Sequence, residues 1–372
     1  MNLGLQSVRP ADVVLFLGAG ASDFAGYKTF RGFGDLILDR VVRYQEQLPD
    51  IAPDTPRLVE EMRAALERVH VPATHDNYLW LLTDYRNFCE KFDTHTGLQS
   101  RFPRILDDIR SFRTLAATVV DDLTKTTFCH YSRSRDTGAI GEEIRSLYEG
   151  LAIYNSPTEP WLPMFTTNYD LLLEDLFADQ NRLPARIPFS NGIPGRTRRG
   201  AKWNQKAYES GGLQLYRLHG CISWFQDNAE TPGSSISFAR PDNIDGSLLS
   251  RLCVMFPGRE MELGRNPHGF GFRLLFAALL SCRKALFVGF SFRDDDVMQV
   301  LLAANASRET PLRLLMIDPR IGANDVLRSL EGAARRSPFP VRLPQESDIS
   351  CLREGFGGDG AKEEVMNFVK ST

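Results

Sequence analysis

The 372-residue chain contains no Cys-x-x-Cys pair; its six cysteines, Cys89, Cys129, Cys221, Cys253, Cys282 and Cys351, are scattered. Neither a zinc ribbon nor a dithiol motif fits that spacing, which predicts reduced thiols in a cytoplasmic protein. His70 and His75 bracket Pro72 and share no helical face, so no metal site is expected. Long hydrophobic runs are also missing. The longest, residues 274–280, is far too short to span a bilayer. No basic, then apolar, then small-residue leader opens the chain, so a signal peptide is not expected. Charge of one sign is lacking too. The formal net charge of −3 carries no global footprint for nucleic acid. No Gly-Lys-Ser/Thr occurs, which excludes a P-loop. What remains is a chain with 42% hydrophobic residues, enough for one large domain or two modest ones.

The chain is organised around residues 13–34, VVLFLGAGASDFAGYKTFRGFG. A short apolar run ends abruptly in Gly-Ala-Gly-Ala-Ser. This predicts a buried strand, a tight turn and the start of a helix. Gly18 and Gly20 would let backbone N–H groups approach a bound anion, typically phosphate, at a helix N-terminus. An ordinary turn is the plainer alternative. Asp23 stands where the dehydrogenase fingerprint has its third glycine.

Residues 35–155 read as mostly helical, with amphipathic segments such as TPRLVEEMRAALERV and EEIRSLYEGLAIY. Strand signals return at LPMFTT (162–167) and continue through residues 213–218, ISW, SSISFA, RLCVMF, ALFVGF and LRLLMI, with PVRL (340–343) as a candidate edge strand. Helices are predicted at LLLEDLF, GFRLLFAALLSCRK (271–284), from about Asp294, at DVLRSLEGAA and at AKEEVMNFVK. Residues 184–212 have no period. Arg196, Arg198, Arg199, Lys202 and Lys206 make that stretch basic, either as solvated loop charge or as a lid facing a nucleotide or partner. Alternating strands and helices predict an α/β fold, a doubly wound, Rossmann-like, mostly parallel sheet. Its parts would be residues 1–34 and 156–372, interrupted by a helical insertion domain at 35–155.

Ligands of open parallel sheets sit beyond the carboxyl ends of the strands. The residues predicted there are Gly18–Ser22 by number 18–22, then Asn168 and Asp170, His219 with Gly220, Gly289 with Ser291, and Asp318. Each has a plain structural explanation. Asp170 or Ser291 could cap a helix, Asn168 could make an Asx turn, His219 could be structural, and Asp318 could turn the chain before Pro319. As a set they would converge on one crevice.

The same residues carry a family resemblance. GAGAS, three residues, then GYKTFRG is similar to the sirtuin nucleotide loop, GAGIS, three residues, then GIPDFRG. Lys28 and Thr29 depart from the family's Pro and Asp. TTNYD resembles the sirtuin TQNID, RLHG the segment with the catalytic His-Gly, and GFS the Gly-x-Ser loop, all in the family's order. The resemblance implies that NAD is the substrate and that no metal is needed for the chemistry. Gly18, Ala19, Gly20 and Ser22 would hold the dinucleotide phosphates, in a loop completed by Gly289. Phe30 would lie near the nicotinamide ribose and Arg31 near phosphate. Asn168 would bond the ribose or orient a water, Asp170 would face the carboxamide, and His219 would be the general base. Ser291 would contact phosphate or ribose, and Asp318, where sirtuins commonly have Asn, the adenosine end.

Sirtuin deacylases usually carry a four-cysteine zinc module after the catalytic His, which this chain lacks. The helical block and the segment RLLFAALLSCRKALFVGFSFRDDDV resemble instead the bacterial antiviral-defence branch, whose members hydrolyse NAD. That resemblance implies an NAD hydrolase (NADase), an oligomer or a partner such as a helicase-like ATPase or a phage-sensing protein, with nucleic acid involved only indirectly. The alternatives are an NAD-dependent deacylase or ADP-ribosyltransferase, and a non-catalytic NAD or ADP-ribose sensor in a larger assembly.

Overall fold

The computed structural model describes residues 11–27, 138–178, 187–193, 201–209, 211–227, 236–238, 252–254, 266–338, 341–353 and 361–371. Most of the stretch read as a helical insertion, residues 35–137, lies outside them, as do Phe30, Arg31 and, in the basic loop, Arg196, Arg198 and Arg199.

Ten strands are described: β1 Val13–Leu17, β2 Trp161–Thr166, β3 Phe189–Ser190, β4 Gly212–Arg217, β5 Gly220–Gln226, β6 Ile236–Phe238, β7 Leu252–Val254, β8 Lys284–Val288, β9 Arg313–Ile317 and β10 Ile349–Leu352. The α-helices are α1 Gly138–Asn155, α2 Leu172–Ala178, α3 His268–Ser281, α4 Asp295–Ala306, α5 Ala323–Arg336 and α6 Ala361–Lys370. Seven strands form one sheet in the order β10-β9-β8-β1-β2-β4-β3, and every pairing in it is parallel. Without the two-residue β3, this is the 3-2-1-4-5-6 order of a doubly wound dinucleotide fold. The chain builds outward from β1 in one direction, then returns to its other side at β8. The carboxyl end of β1 is therefore the topological switch point.

Strand alternation explains why these strands read as unbroken apolar runs. Val13, Leu15 and Leu17 of β1 enter one core, while Val14 and Phe16 enter another. β8 and β9 divide their side chains in the same way. One face is covered by α1, α2 and α6 through Leu151, Leu176 and Val365. The other is covered by α3, α4 and α5 through Leu275, Leu301 and Leu330. Sheets covered on both faces need apolar residues at consecutive positions. α1, the closing helix of the block expected to be an insertion, thus packs on the sheet itself, with Leu147, Tyr148, Leu151 and Ala152 in its core.

Directly after β4 the chain enters a small antiparallel sheet, ordered β6-β5-β7. Cys221, Ile222, Trp224, Ile236 and Cys253 form its buried side.

Three expectations need correction. PVRL is not a strand; the sheet edge is β10, whose Ile349 and Leu352 are 7% and 5% exposed while Leu343 is 37% exposed. Pro344 follows PVRL and has no N–H to give a ladder. The helix expected from 271 begins at His268, because Gly269 and Gly271 are helical residues buried against neighbours rather than loop residues. It stops at Ser281, and Cys282 is extended and buried, leading straight into β8. Third, the stretch after the Gly18 turn is a seven-residue 3-10 helix, Ala19–Ala25, closed by Gly26 at φ 74°. Among the described residues no helix is long and apolar enough to cross a membrane.

Candidate active site

At the switch point two loops cross with almost no space between them. Gly18 N–H donates to Val288 O at 2.9 Å, and Gly20 N–H donates to Gly289 O at 3.0 Å. A Cβ on Gly18 would lie 2.4 Å from Gly289 O, and one on Gly289 would lie 2.3 Å from Ala21 N. Gly289 also has φ 57°, in the left-handed region that favours glycine. The amides of Gly18 and Gly20 themselves are thus engaged by the end of β8 and the loop after it. These glycines hold the two halves of the sheet together at the crevice floor. Ala19 is half-buried beside them.

Asn168, just past β2, reaches across to the same loop. Its Nδ2 donates to Gly18 O at 2.8 Å and to Ser22 Oγ at 3.2 Å. Its backbone N–H donates to Thr166 Oγ1, whose own hydroxyl donates to Leu17 O. Both Nδ2 hydrogens are thus engaged, and Oδ1 is buried with no hydrogen-bond partner among the described residues. This is not the local Asx turn that the sequence allowed. A buried acceptor left unpaired costs free energy, so its natural complement is a donor brought by a ligand or water.

Asp170, two residues before α2 begins, accepts from the first N–H of that helix, Leu172 N–H, at 3.0 Å. It shares a small cavity with Ser22, Asn168 and Arg217, walled by Phe24 and by Tyr148 of α1. Burial raises the Asp170 pKa; the Arg217 charge, the Leu172 N–H and the Ser22 hydroxyl oppose this.

Arg217 explains how the Asn168–Asp170 loop is held. Its guanidinium donates to Asn168 O at 2.8 Å and Asp170 O at 2.6 Å, and it grips Glu174 of α2 in a fork at 3.0 and 2.5 Å. Asn191 donates to Glu174 as well. Sequence reading overlooked this cluster, although a signal existed. Arg217 follows Leu213 and Leu215 at strand period, so a charge falls on a core-facing row and must find a partner there.

His219 follows β4, is 7% exposed, and sits beside the rings of Tyr169 and Phe272. Its Nε2 lies 3.1 Å from Asp294 Oδ2. Burial lowers its pKa, and the Asp294 charge opposes that. A neutral imidazole results at neutral pH, suited to accept a proton. Gly220 follows with φ 77°, and a Cβ there would lie 2.1 Å from Cys253 O. The sequence marks Asp294 only as a helix start, and His268, close behind Gly220, only as loop.

The remaining predicted residues lie along the same edge of the sheet. Ser291 is exposed in the β8–α4 loop and does not cap α4; Asp294 does. Asp318 ends β9, is 4% exposed, and uses Oδ1 to accept from Arg320 N–H at 2.8 Å, the chain-turning role that the sequence allowed. The structure thus joins Gly18, Ser22, Asn168, Asp170 and Gly289 through direct contacts or a shared cavity. His219 is joined to the β8–α4 loop through Asp294. Among the described residues no cluster of His, Cys, Asp or Glu could hold a metal ion.

No curated protein matches the chain. Residues 163–334, which run from β2 through most of α5 and include Asn168, Asp170, His219, Gly289 and Ser291, match the family model described as a SIR2-like domain. With the doubly wound sheet around them, that match supports assigning this part of the chain to the sirtuin-like superfamily.

Proposed function

We propose that the protein is an NAD hydrolase that cleaves NAD to ADP-ribose and nicotinamide. The observation that carries this reading is Asn168: fixed through Nδ2, buried at the switch point, and presenting an Oδ1 with no partner among the described residues. Cleavage of the nicotinamide–ribose bond creates an oxocarbenium-like centre and neutral nicotinamide. The site must orient one nucleophile toward that centre without attacking it itself. A neutral amide oxygen can hold a water or a ribose hydroxyl in that way. His219 accepts the proton of the water that adds to the ribose carbon and passes it to solvent, so one proton is released per NAD hydrolysed. Asp170, its pKa raised by burial, offers a carboxyl group to the carboxamide. Ser22 and Ser291 would contact the phosphates or ribose and Asp318 the adenosine end, and the sirtuin resemblance would give Phe30 and Arg31, outside the described residues, the nicotinamide ribose and a phosphate.

We further propose a role in bacterial antiphage defence, with NAD depleted when the protein is triggered. Such an enzyme must be silent at rest. Control would come from homo-oligomer assembly or a partner protein through the block at 35–155.

Purified protein, concentrated to assemble its oligomer or mixed with its partner, should release nicotinamide from NAD, followed by chromatography, and Asn168→Ala and His219→Ala should each lose about 100-fold or more. Equal release from both variants would sink the site assignment. Release only in the presence of an acylated peptide would establish the deacylase instead, and tight NAD binding without turnover the sensor.

A further inference from the structure

His219 and Asp294 come from opposite halves of the sheet, one following β4 and the other following β8. Their contact across the switch point is built on both sides. Asp294 Oδ2 lies 3.1 Å from His219 Nε2, with the side chains 17% and 9% exposed. Its other oxygen, Oδ1, accepts from Val297 N–H at 3.1 Å as the cap of α4. The helix therefore fixes the carboxylate, and the carboxylate fixes the ring. Capping alone does not require this arrangement, since Ser, Thr or Asn caps a helix equally well. An ionised carboxylate only accepts hydrogen bonds, so the ring nitrogen facing it carries the hydrogen. In the neutral ring the lone pair is then on Nδ1.

We propose that Asp294 is the positioning residue for His219: it locks the Nε2–H form of the ring and leaves Nδ1 as the atom that removes the proton. The identity of the reaction rests on NAD hydrolysis, whereas the pairing of the two side chains does not. Among the described residues, the other polar groups near the ring include Tyr169, held protonated by burial, and His268 of α3, whose pKa is lowered to about 4 by burial. Both stay neutral through the working range. Asp296, raised to about 6 by burial and by the charges of Asp294 and Asp295, titrates nearby. Removing the Asp294 charge therefore lowers the titration of both His219 and Asp296.

The test is nuclear magnetic resonance of the ring nitrogens in full-length protein labelled at histidine, with His219→Gln to assign the signal. The expected wild-type spectrum has hydrogen on Nε2 and none on Nδ1 above the titration midpoint. Asp294→Asn keeps a capping side chain, which a thermal melt verifies, and should move the His219 midpoint to lower pH. In that variant nicotinamide release should fall about 100-fold, with KM for NAD within about threefold, and the acid limb of its pH profile should shift downward. Hydrogen on Nδ1 in the wild type, or an unmoved midpoint in Asp294→Asn, would overturn the proposal. Wild-type protein that releases no nicotinamide even when assembled or partner-bound would instead remove the hydrolase reading, while the ring spectra still decide the pairing.

Discussion

Gly289 and Asn168 show how single residues set this site by what they lack as much as by what they carry. Gly289 has no side chain at a point where Ala21 N would lie 2.3 Å from a Cβ, and its φ is 57°. Gly289→Ala combines a left-handed backbone penalty with overpacking against main chain that cannot yield. The expected loss is about 2–5 kcal/mol in urea unfolding, with activity falling because the Gly18 loop and Asn168 move together. Gly150, in the middle of α1, has nothing within 4 Å of its Cβ position, so Gly150→Ala is the matched control and should not destabilise. Asn168 matters through the one atom left unpaired. Its two donor bonds are structural, and its acceptor is the part available to substrate.

Between elements, the device that holds the site is the Arg217–Glu174 pair. It ties β4 to α2, and through the carbonyls of Asn168 and Asp170 it also sets the loop between β2 and α2. The two side chains are 1% and 8% exposed, so solvent screening is slight. The Glu174 charge raises the Arg217 pKa against the burial that lowers it. Breaking such a pair from one side leaves an uncompensated buried charge. Arg217→Met should cost about 3–5 kcal/mol. Adding Glu174→Leu should recover part of that in a double-mutant cycle measured by urea unfolding. Activity should not recover with stability, because the guanidinium hydrogen bonds to the loop carbonyls stay lost.

For the molecule as a whole, buried histidines predict acid lability. His268 Nδ1–H donates to Leu218 O at 2.9 Å, with Nε2 near Cys253 Sγ, and burial lowers its pKa from 6.5 to about 4. His219 shifts in the same direction. Between about 4 and 6.5 the unfolded chain binds more protons than the folded one, so stability rises with pH there. The contribution is complete above about 6.5 and is lost as pH falls toward about 4. Urea midpoints measured across that window should fall with acidity, and His268→Gln should flatten the slope. A steeper slope in the variant would contradict the assignment.

The sequence by itself determined the order of elements and the chemistry at their ends. A sheet covered on both faces demands continuous apolar runs, and these mark β1, β8 and β9 within a residue or two because burial is written into consecutive positions. The glycine turn, TTNYD, RLHG and GFS were legible for the same local reason: each is a short strand end whose residue types are unusual for a core. Only the tertiary structure decided what those residues touch. It directed the Gly18 and Gly20 amides to the β8 loop, left Asn168 Oδ1 without a partner, and brought Asp294 to His219 from 75 positions away. It also put the sheet edge at β10 rather than at PVRL. Such contacts depend on strand order and register, which pair residues distant along the chain, and no local pattern encodes which of three aspartates at a helix start will face a histidine.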